Sequence, residues 1–453
     1  MIIRTTEIKK LDQCYQQAGN QMIVLYGNDC VEKERILQLF CREKPFFYYR
    51  ARQLSDLEQR NQMGKQIASH YDVKILKNTY QEFFTRIRSG SAQKLVLIID
   101  EFQFMAKKNP DFLDALLKLK AKRLYPGPVL ILLCSSSLVW SNQGMKDFFG
   151  DELKRVNEII RLENLKFLDL VKAFPDASVP ECVQIYGILG DSAAYVNRWP
   201  AKQSLKTNIC RQILSPHGFL FHEAERIIHG ELRELSVYNT ILCSIAAGNR
   251  KLNDLYHDTG FSRAKISVYL KNLMEFEVIE KVLSFETGGW ENAQKGVYQI
   301  RNHFLNFWFH FVFPHMSELY LLPVEEFYDR FIEPELQTYL NPYFVDVCME
   351  YLELLNMVDK LPLKLTRTGT WVGKQGTIDL VAQDEARNML VGLCNWWRPA
   401  FTSDMLRQLE KNLKKAKIKA GYIYLFSATT FETELLESVK NESRIICVDM
   451  NQL

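Results

Sequence analysis

Five short apolar or β-rich runs in the first third of the chain leave few folds open: residues 22–26 (MIVLY), 46–49 (FFYY), 95–99 (LVLII), 129–133 (VLILL) and 158–162 (EIIRL). Polar stretches long enough for helices separate the first four. Short strands alternating with helix-length connections predict a parallel sheet covered on both faces by crossover helices, so an α/β domain is expected over residues 1–163. With 453 residues in all, and about 100 to 200 residues per domain, more domains must follow.

Beyond that point the strand signals fade. Phe167, Leu170, Val171 and Phe174 form one helical stripe, and Pro175, Pro180, Pro200 and Pro216 divide the region into short helices, giving a helical subdomain over 164–234. Residues 235–302 read as helix (238–247), helix (251–258), a turn at Thr259-Gly260, a third helix (262–276) with apolar Ile266, Leu270 and Leu273, and strand-like 278–285 and 296–300 about Gly288-Gly289. Helix, turn, helix and hairpin is the layout of a winged helix, with Ser262 placed to cap the recognition helix. Residues 303–453 form a fourth unit: an aromatic helical region to about 355, paired strands at 376–382 and 388–396, a basic amphipathic helix over 403–419 and a strand at 421–426.

A net charge of +3 and 25% charged residues announce no nucleic-acid or membrane partner by bulk charge, so any such site must be a local patch. Ten cysteines without a CxxC pair read as reduced thiols of a cytoplasmic protein, not as a disulfide frame or zinc site. The N-terminus turns charged within ten residues, unlike a signal peptide. The most apolar stretch, 304–314 (FLNFWFHFVFP), is broken by Asn306 and His310 and is shorter than the roughly 18 residues that span a bilayer, so it reads as a buried helix and no membrane association is expected.

Two segments carry chemistry. After the first strand, Gly27 and Lys33 keep the spacing of a phosphate-binding loop, GxxxxGK[ST], but the second glycine is Glu32 and the hydroxyl residue is Glu34. In a working loop the backbone N–H groups wrap the phosphates, the lysine reaches the β and γ groups and the hydroxyl ligates magnesium. Here three acids (Asp29, Glu32, Glu34) face two bases (Lys33, Arg35). A carboxylate about 5 Å from a phosphate charge costs roughly 3 kcal/mol at an effective dielectric of 20, enough to cancel one lysine. The second segment, LVLIIDE, ends an apolar strand in Asp100 and Glu101, the arrangement in which an aspartate holds magnesium and the glutamate polarises the attacking water. Ser135-Ser-Ser137 after the next strand could sense a γ-phosphate, or simply begin a loop.

In this order the segments LYGNDCVEK, LVLIIDEFQF, CSSS, IYGILGDSAAYV, LSPHGFLFHE, KLNDLYHDTGFSRAKISVYLKNL, HFLNFWFHFVFP and GKQGTIDLVA resemble the archaeal-type ATPases of the AAA+/STAND class. The resemblance implies an α/β P-loop NTPase domain with a helical lid, a winged helix-turn-helix and a C-terminal α/β domain of restriction-endonuclease type. It implies ATP and magnesium as cofactors, with Gly27, Lys33, Asp100 and Ser135 at the nucleotide, Asp100 on the metal and Glu101 as the catalytic residue of any turnover. Glu32 and Glu34 depart from that pattern, and hydrolysis is expected to be slow or absent.

A nuclease of that type needs an Asp and then Glu-x-Lys on the adjacent strand to hold a divalent metal and activate water. Asp379 matches the first acid, but Leu393 and Asn395 stand where Glu and Lys are needed, and Val345 where an upstream acid belongs. No cleavage of nucleic acid is expected. On the winged helix Arg263, Lys265 and Lys271 could contact DNA phosphates, with Ser262 and Ser267 near bases; the run Lys411, Lys414, Lys415, Lys417 and Lys419 reads as a solvated helix face. The histidines match no zinc spacing. The leading expectation is a divergent ATPase-family protein associated with DNA. The alternative is a non-enzymatic scaffold or DNA-binding regulator in which both catalytic centres have decayed; the oligomeric state is left open.

Overall fold

The computed structural model describes residues 4–27, 32–89, 93–106, 110–125, 127–231, 234–285, 296–373 and 376–450. Asp29 and Cys30 of the loop and Gly288-Gly289 of the hairpin lie outside the described residues. Two compact units emerge, Met1–Asn164 with Ser192–Ala194, and Leu165–Asp191 with Tyr195–Leu453.

The first unit holds a wholly parallel sheet of β1 (Gln21–Tyr26), β2 (Phe46–Arg50), β3 (Leu95–Asp100), β4 (Val129–Ser135) and β5 (Glu158–Arg161), in the order β2-β3-β4-β1-β5. Central strands β3 and β4 are buried along their whole length, as continuous Val, Ile and Leu runs require when helices cover both faces. Edge strand β2 alternates exposed and inward residues. Side chains of alternate parity fill two cores: Val24, Leu97, Ile99 and Leu133 pack with Phe83, Phe102 and Phe112 on one face. Ile23, Val96, Ile98 and Leu132 pack with Ile36, Leu37 and Phe40 on the other. β4 therefore lies between the strand that feeds Lys33 and the strand that ends in Asp100, and the carboxyl ends of the strands are where open α/β sheets take ligands in a crevice.

The second unit begins with short helices. Pro180, one of the prolines expected to divide the region, occupies the first turn of the short helix Val179–Leu189, where the N–H it lacks has no intrahelical partner anyway. Ser178 and Glu181 complete a capping box there. Helices Leu235–Ala246, Leu252–Thr259 and Arg263–Glu275 are followed by the antiparallel pair β6 (Ile279–Val282) and β7 (Val297–Ile300). Gly248 (φ +99°) and Gly260 (φ +69°) make the left-handed turns between these helices. Ser262 accepts from the Lys265 amide and caps the third helix.

The aromatic stretch forms helix His303–Phe307, continued as a π-helix over Trp308–Val312. After the long helix Glu333–Met357 comes a mixed sheet in the order β14-β12-β10-β9-β8. It comprises β8 (Arg367–Gly373), β9 (Gly376–Gln383), β10 (Met389–Asn395), β12 (Ala420–Ser427) and β14 (Ile445–Asp449). β8, β9 and β10 are antiparallel neighbours, while β10, β12 and β14 run parallel; β11 (Ala400–Phe401) and β13 (Thr430–Phe431) form a short parallel pair. Helix Ser403–Ala416 packs Leu409 and Leu413 against the sheet. It ends earlier than the expected 419 because Lys417 turns left-handed. Among the described residues no helix is long and apolar enough to cross a membrane, and the nine described cysteines are free thiols.

Candidate functional site

Lys33 opens helix Lys33–Cys41 directly after Glu32, whose φ of 54° gives the chain the left-handed bend at which the motif would place glycine. A residue without a Cβ enters that region freely, whereas glutamate does so at a cost of order 1 kcal/mol. The bend aims Lys33 inward, only 3% exposed. Its Nζ lies 2.8 Å from Asp100 Oδ1 and 2.6 Å from Glu101 Oε1, so the strand end and the loop lysine meet 68 residues apart in sequence.

Every oxygen of the two acids is occupied. Asp100 Oδ1 also accepts from the Glu101 amide at 3.0 Å, and Oδ2 accepts from the Tyr48 hydroxyl at 2.7 Å with Arg50 Nε 3.8 Å away. Glu101 Oε2 accepts from Gln103 Nε2 and Ser136 Oγ, both at 2.7 Å, and from the Ser136 amide at 3.3 Å. Glu101 itself sits at φ +53°. Burial works against the charge on Lys33, but Asp100 and Glu101 outweigh it and hold the amine above its ordinary value. Burial likewise pushes Glu101 up, yet Lys33, Ser136 and Gln103 together keep its carboxyl below the usual range.

Ser135, expected to sense a phosphate, is fully buried at the end of β4. Its carbonyl accepts from the Gly27 amide at 3.2 Å and its Oγ from the Ser137 amide at 3.2 Å. The serine that touches an acid is Ser136. Tyr48, Arg50 and Gln103 also went unnoticed in sequence. Arg50 was findable only through register, since β2 pairs it with Asp100. It also changes the charge count, because Arg50 Nη1 lies 3.2 Å from Glu34 Oε1 and Arg35 lies 4.0 Å from Glu32. Arg50 thus adds a third base beside the loop acids Glu32 and Glu34.

A parallel sheet with the acids one strand removed from the loop lysine, and the lysine seated on those acids, is a P-loop NTPase-like core. The second unit carries a segment of short helices and a winged-helix motif. A family model described as archaeal and bacterial proteins of unknown function matches residues 308–419. An uncharacterized protein of Methanocaldococcus jannaschii is 24% identical over 92% of this chain and 91% of its own. Among solved structures, the Walker-type ATPase of Pyrococcus abyssi is similar at 16% identity and a TM-score of 0.46, over 68% of this chain and 96% of that one. The ORC2 protein of Aeropyrum pernix is similar at 12% identity and a TM-score of 0.44, over 73% and 94%.

On the winged helix, Arg263, Lys265 and Lys271 are exposed, while Ile266 and Leu270 are buried. Arg263 stacks on Tyr256 at 3.9 Å and Lys265 lies 4.8 Å from the Phe261 ring centre, while Lys271 pairs loosely with Glu275 at 3.8 Å. Cations laid over rings suit nucleic-acid recognition, where each can slide to a phosphate while the ring offers a stacking face.

In the second sheet Asp379 Oδ2 accepts from the Cys394 amide at 3.0 Å, and burial pushes its carboxyl up to about 6. Asn395 donates to the Arg398 carbonyl at 3.1 Å and to Thr429 Oγ1 at 2.8 Å, so it ties a loop together. The acid beside Val345 is Asp346, one position on, and it lines a separate cavity. Among the described residues no three His, Cys, Asp or Glu side chains gather closely enough to hold a metal ion.

Proposed function

We propose that the first unit is a nucleotide-binding switch: ATP with magnesium enters the crevice, Lys33 transfers from the acids to the β and γ phosphates, and Asp100, so released, takes the metal. One observation carries this reading, the buried Lys33 bracketed by Asp100 and Glu101, since an ammonium held by two carboxylates can exchange one anionic partner for another. Hydrolysis would be slow or absent. Glu101 has both oxygens engaged and cannot orient a water without giving up Ser136, Gln103 or Lys33, and Glu34 replaces the magnesium-binding hydroxyl with a longer side chain already paired to Arg50.

Thermal melting with and without magnesium-ATP tests the binding step. A ligand at a hundred times its Kd stabilises by about 2.7 kcal/mol, and a clear upward shift is expected. No shift at millimolar nucleotide would favour the scaffold reading. Robust ATPase activity that vanishes in Glu101→Gln would overturn the slow-turnover part.

We further propose that domains divide at 163, 234 and 302, that the winged helix associates with DNA through Arg263, Lys265 and Lys271, and that the second sheet is a restriction-endonuclease-like core without its metal set. Incubation with plasmid and magnesium or manganese is expected to leave the DNA intact. Cleavage abolished by Asp379→Ala would reverse that assignment.

A further inference from the structure

A cavity of about 570 Å³ in the second unit, used by none of the above, is walled by the hairpin β6–β7, the aromatic helix and π-turn after Asn302, and the long helix Glu333–Met357. One wall is a connected set of rings. His303 lies 4.7 Å from Tyr186 and 4.4 Å from Tyr343, and Tyr339 lies 5.3 Å from Tyr343, between ring centres. The volume lies within the roughly 300–1,000 Å³ of small-ligand sites.

Its charges are unbalanced toward the acids. Asp346 opens onto the cavity, and among the described residues no side chain bonds to its carboxylate. Asp346 is exposed to the space of the cavity, yet the protein crowded around it, with the like charge of Glu280, raises its carboxyl to about 7. Asp191 and Glu335 line the same space. Of the two arginines present, Arg301 pairs with Glu277 at 3.1 Å, while Arg250 donates to Gln299 and to the Tyr298 carbonyl and faces Glu280, which accepts from Gln299 Nε2 at 2.6 Å; four acids still line the space against these two bases. Pro342 within the long helix removes the N–H that would bond the Thr338 carbonyl, and Thr338 also lines the cavity. An anion would meet carboxylates here. A single metal ion would find its ligands too far apart, since no three described acids, histidines or cysteines converge.

We propose that this cavity binds a linear aliphatic di- or triamine, its ammonium groups taken by Asp346 and Glu280 and its methylene chain laid against the Tyr339 and Tyr343 rings. Separated carboxylates beside aromatic faces match separated cationic charges joined by an apolar chain. A ligand ammonium beside Asp346 would supply the opposite charge that its setting lacks.

The test is calorimetric titration of the full chain with spermidine and with putrescine at physiological salt. One saturable site is expected, weakened roughly tenfold or more by Asp346→Asn and by Glu280→Gln, and unchanged in Glu437→Gln, a surface acid far from the cavity in sequence. Circular dichroism and melting confirm that each variant folds. Absence of saturable binding, an affinity in both cavity variants equal to that of the parent, or displacement of spermidine by an equal concentration of magnesium would each overturn the proposal.

Discussion

Lys33→Met is expected to destabilise the first unit by about 3–5 kcal/mol, the range seen when one partner of a buried ion pair is removed. The loss lies at the upper end of that range because two charges lose their partner at once. Asp100 is fully buried and Glu101 is 4% exposed, and without the ammonium their adjacent carboxylates repel one another in a poorly solvated site. Arg50 cannot compensate, since its Nε reaches Asp100 only at 3.8 Å and its Nη1 serves Glu34. The loss is best read from amide exchange in β3 and β4, which reports this unit separately from the other. The variant should also lose any melting shift with magnesium-ATP. Adding Asp100→Asn and Glu101→Gln to Lys33→Met should restore most of the stability but not the nucleotide response. A single Lys33→Met variant as stable as the parent would mean that solvent, not the ion pair, satisfies the two acids.

The same triad shows what a sequence can disclose. β1, β3 and β4 were legible because a parallel strand buried on both faces must be apolar throughout, and Lys33, Asp100 and Glu101 were legible because a strand end fixes where the next side chains point. Tyr48, Arg50, Gln103 and Ser136 were not. Their placement depends on the register of β2 against β3 and on the turn after β4, which a three-serine run leaves undecided. β8 and β14 escaped for a related reason. Both are edges of the second sheet and only half-buried: β8 reads RTGTWVG, with no apolar run and Trp371 as its one fully inward residue, and β14 offers only the four apolar residues of IICV ahead of Asp449. The π-turn at Trp308–Val312 has no sequence signal at all, since it replaces one helical hydrogen-bond pattern with another.

Asp379→Asn is expected to stabilise the second sheet at pH 8 and to do little at pH 4. Burial raises the Asp379 carboxyl from 3.8 to about 6 in the folded chain. A folded-state value above the unfolded one means that the native state binds the proton more tightly, so the contribution is fully present below about pH 4 and is lost as pH rises through about 6. Above that window the folded chain carries a desolvated carboxylate at a cost of about 3 kcal/mol, the shift taken at 1.36 kcal/mol per unit. An asparagine is neutral at every pH and can still accept from the Cys394 amide through its carbonyl, which stands in for the Oδ2 contact at 3.0 Å. Its NH₂ group is a new donor in a mostly buried place, and leaving it unmet returns about 1 kcal/mol. The net gain at pH 8 is therefore about 2 kcal/mol, measured as slower amide exchange in β9 and β10, and it should fade across pH 6 to 4. Equal destabilisation at both pH values would show that the carboxylate is solvated where it stands, and the reading of Asp379 as a charge held in the sheet at a cost would fall with it.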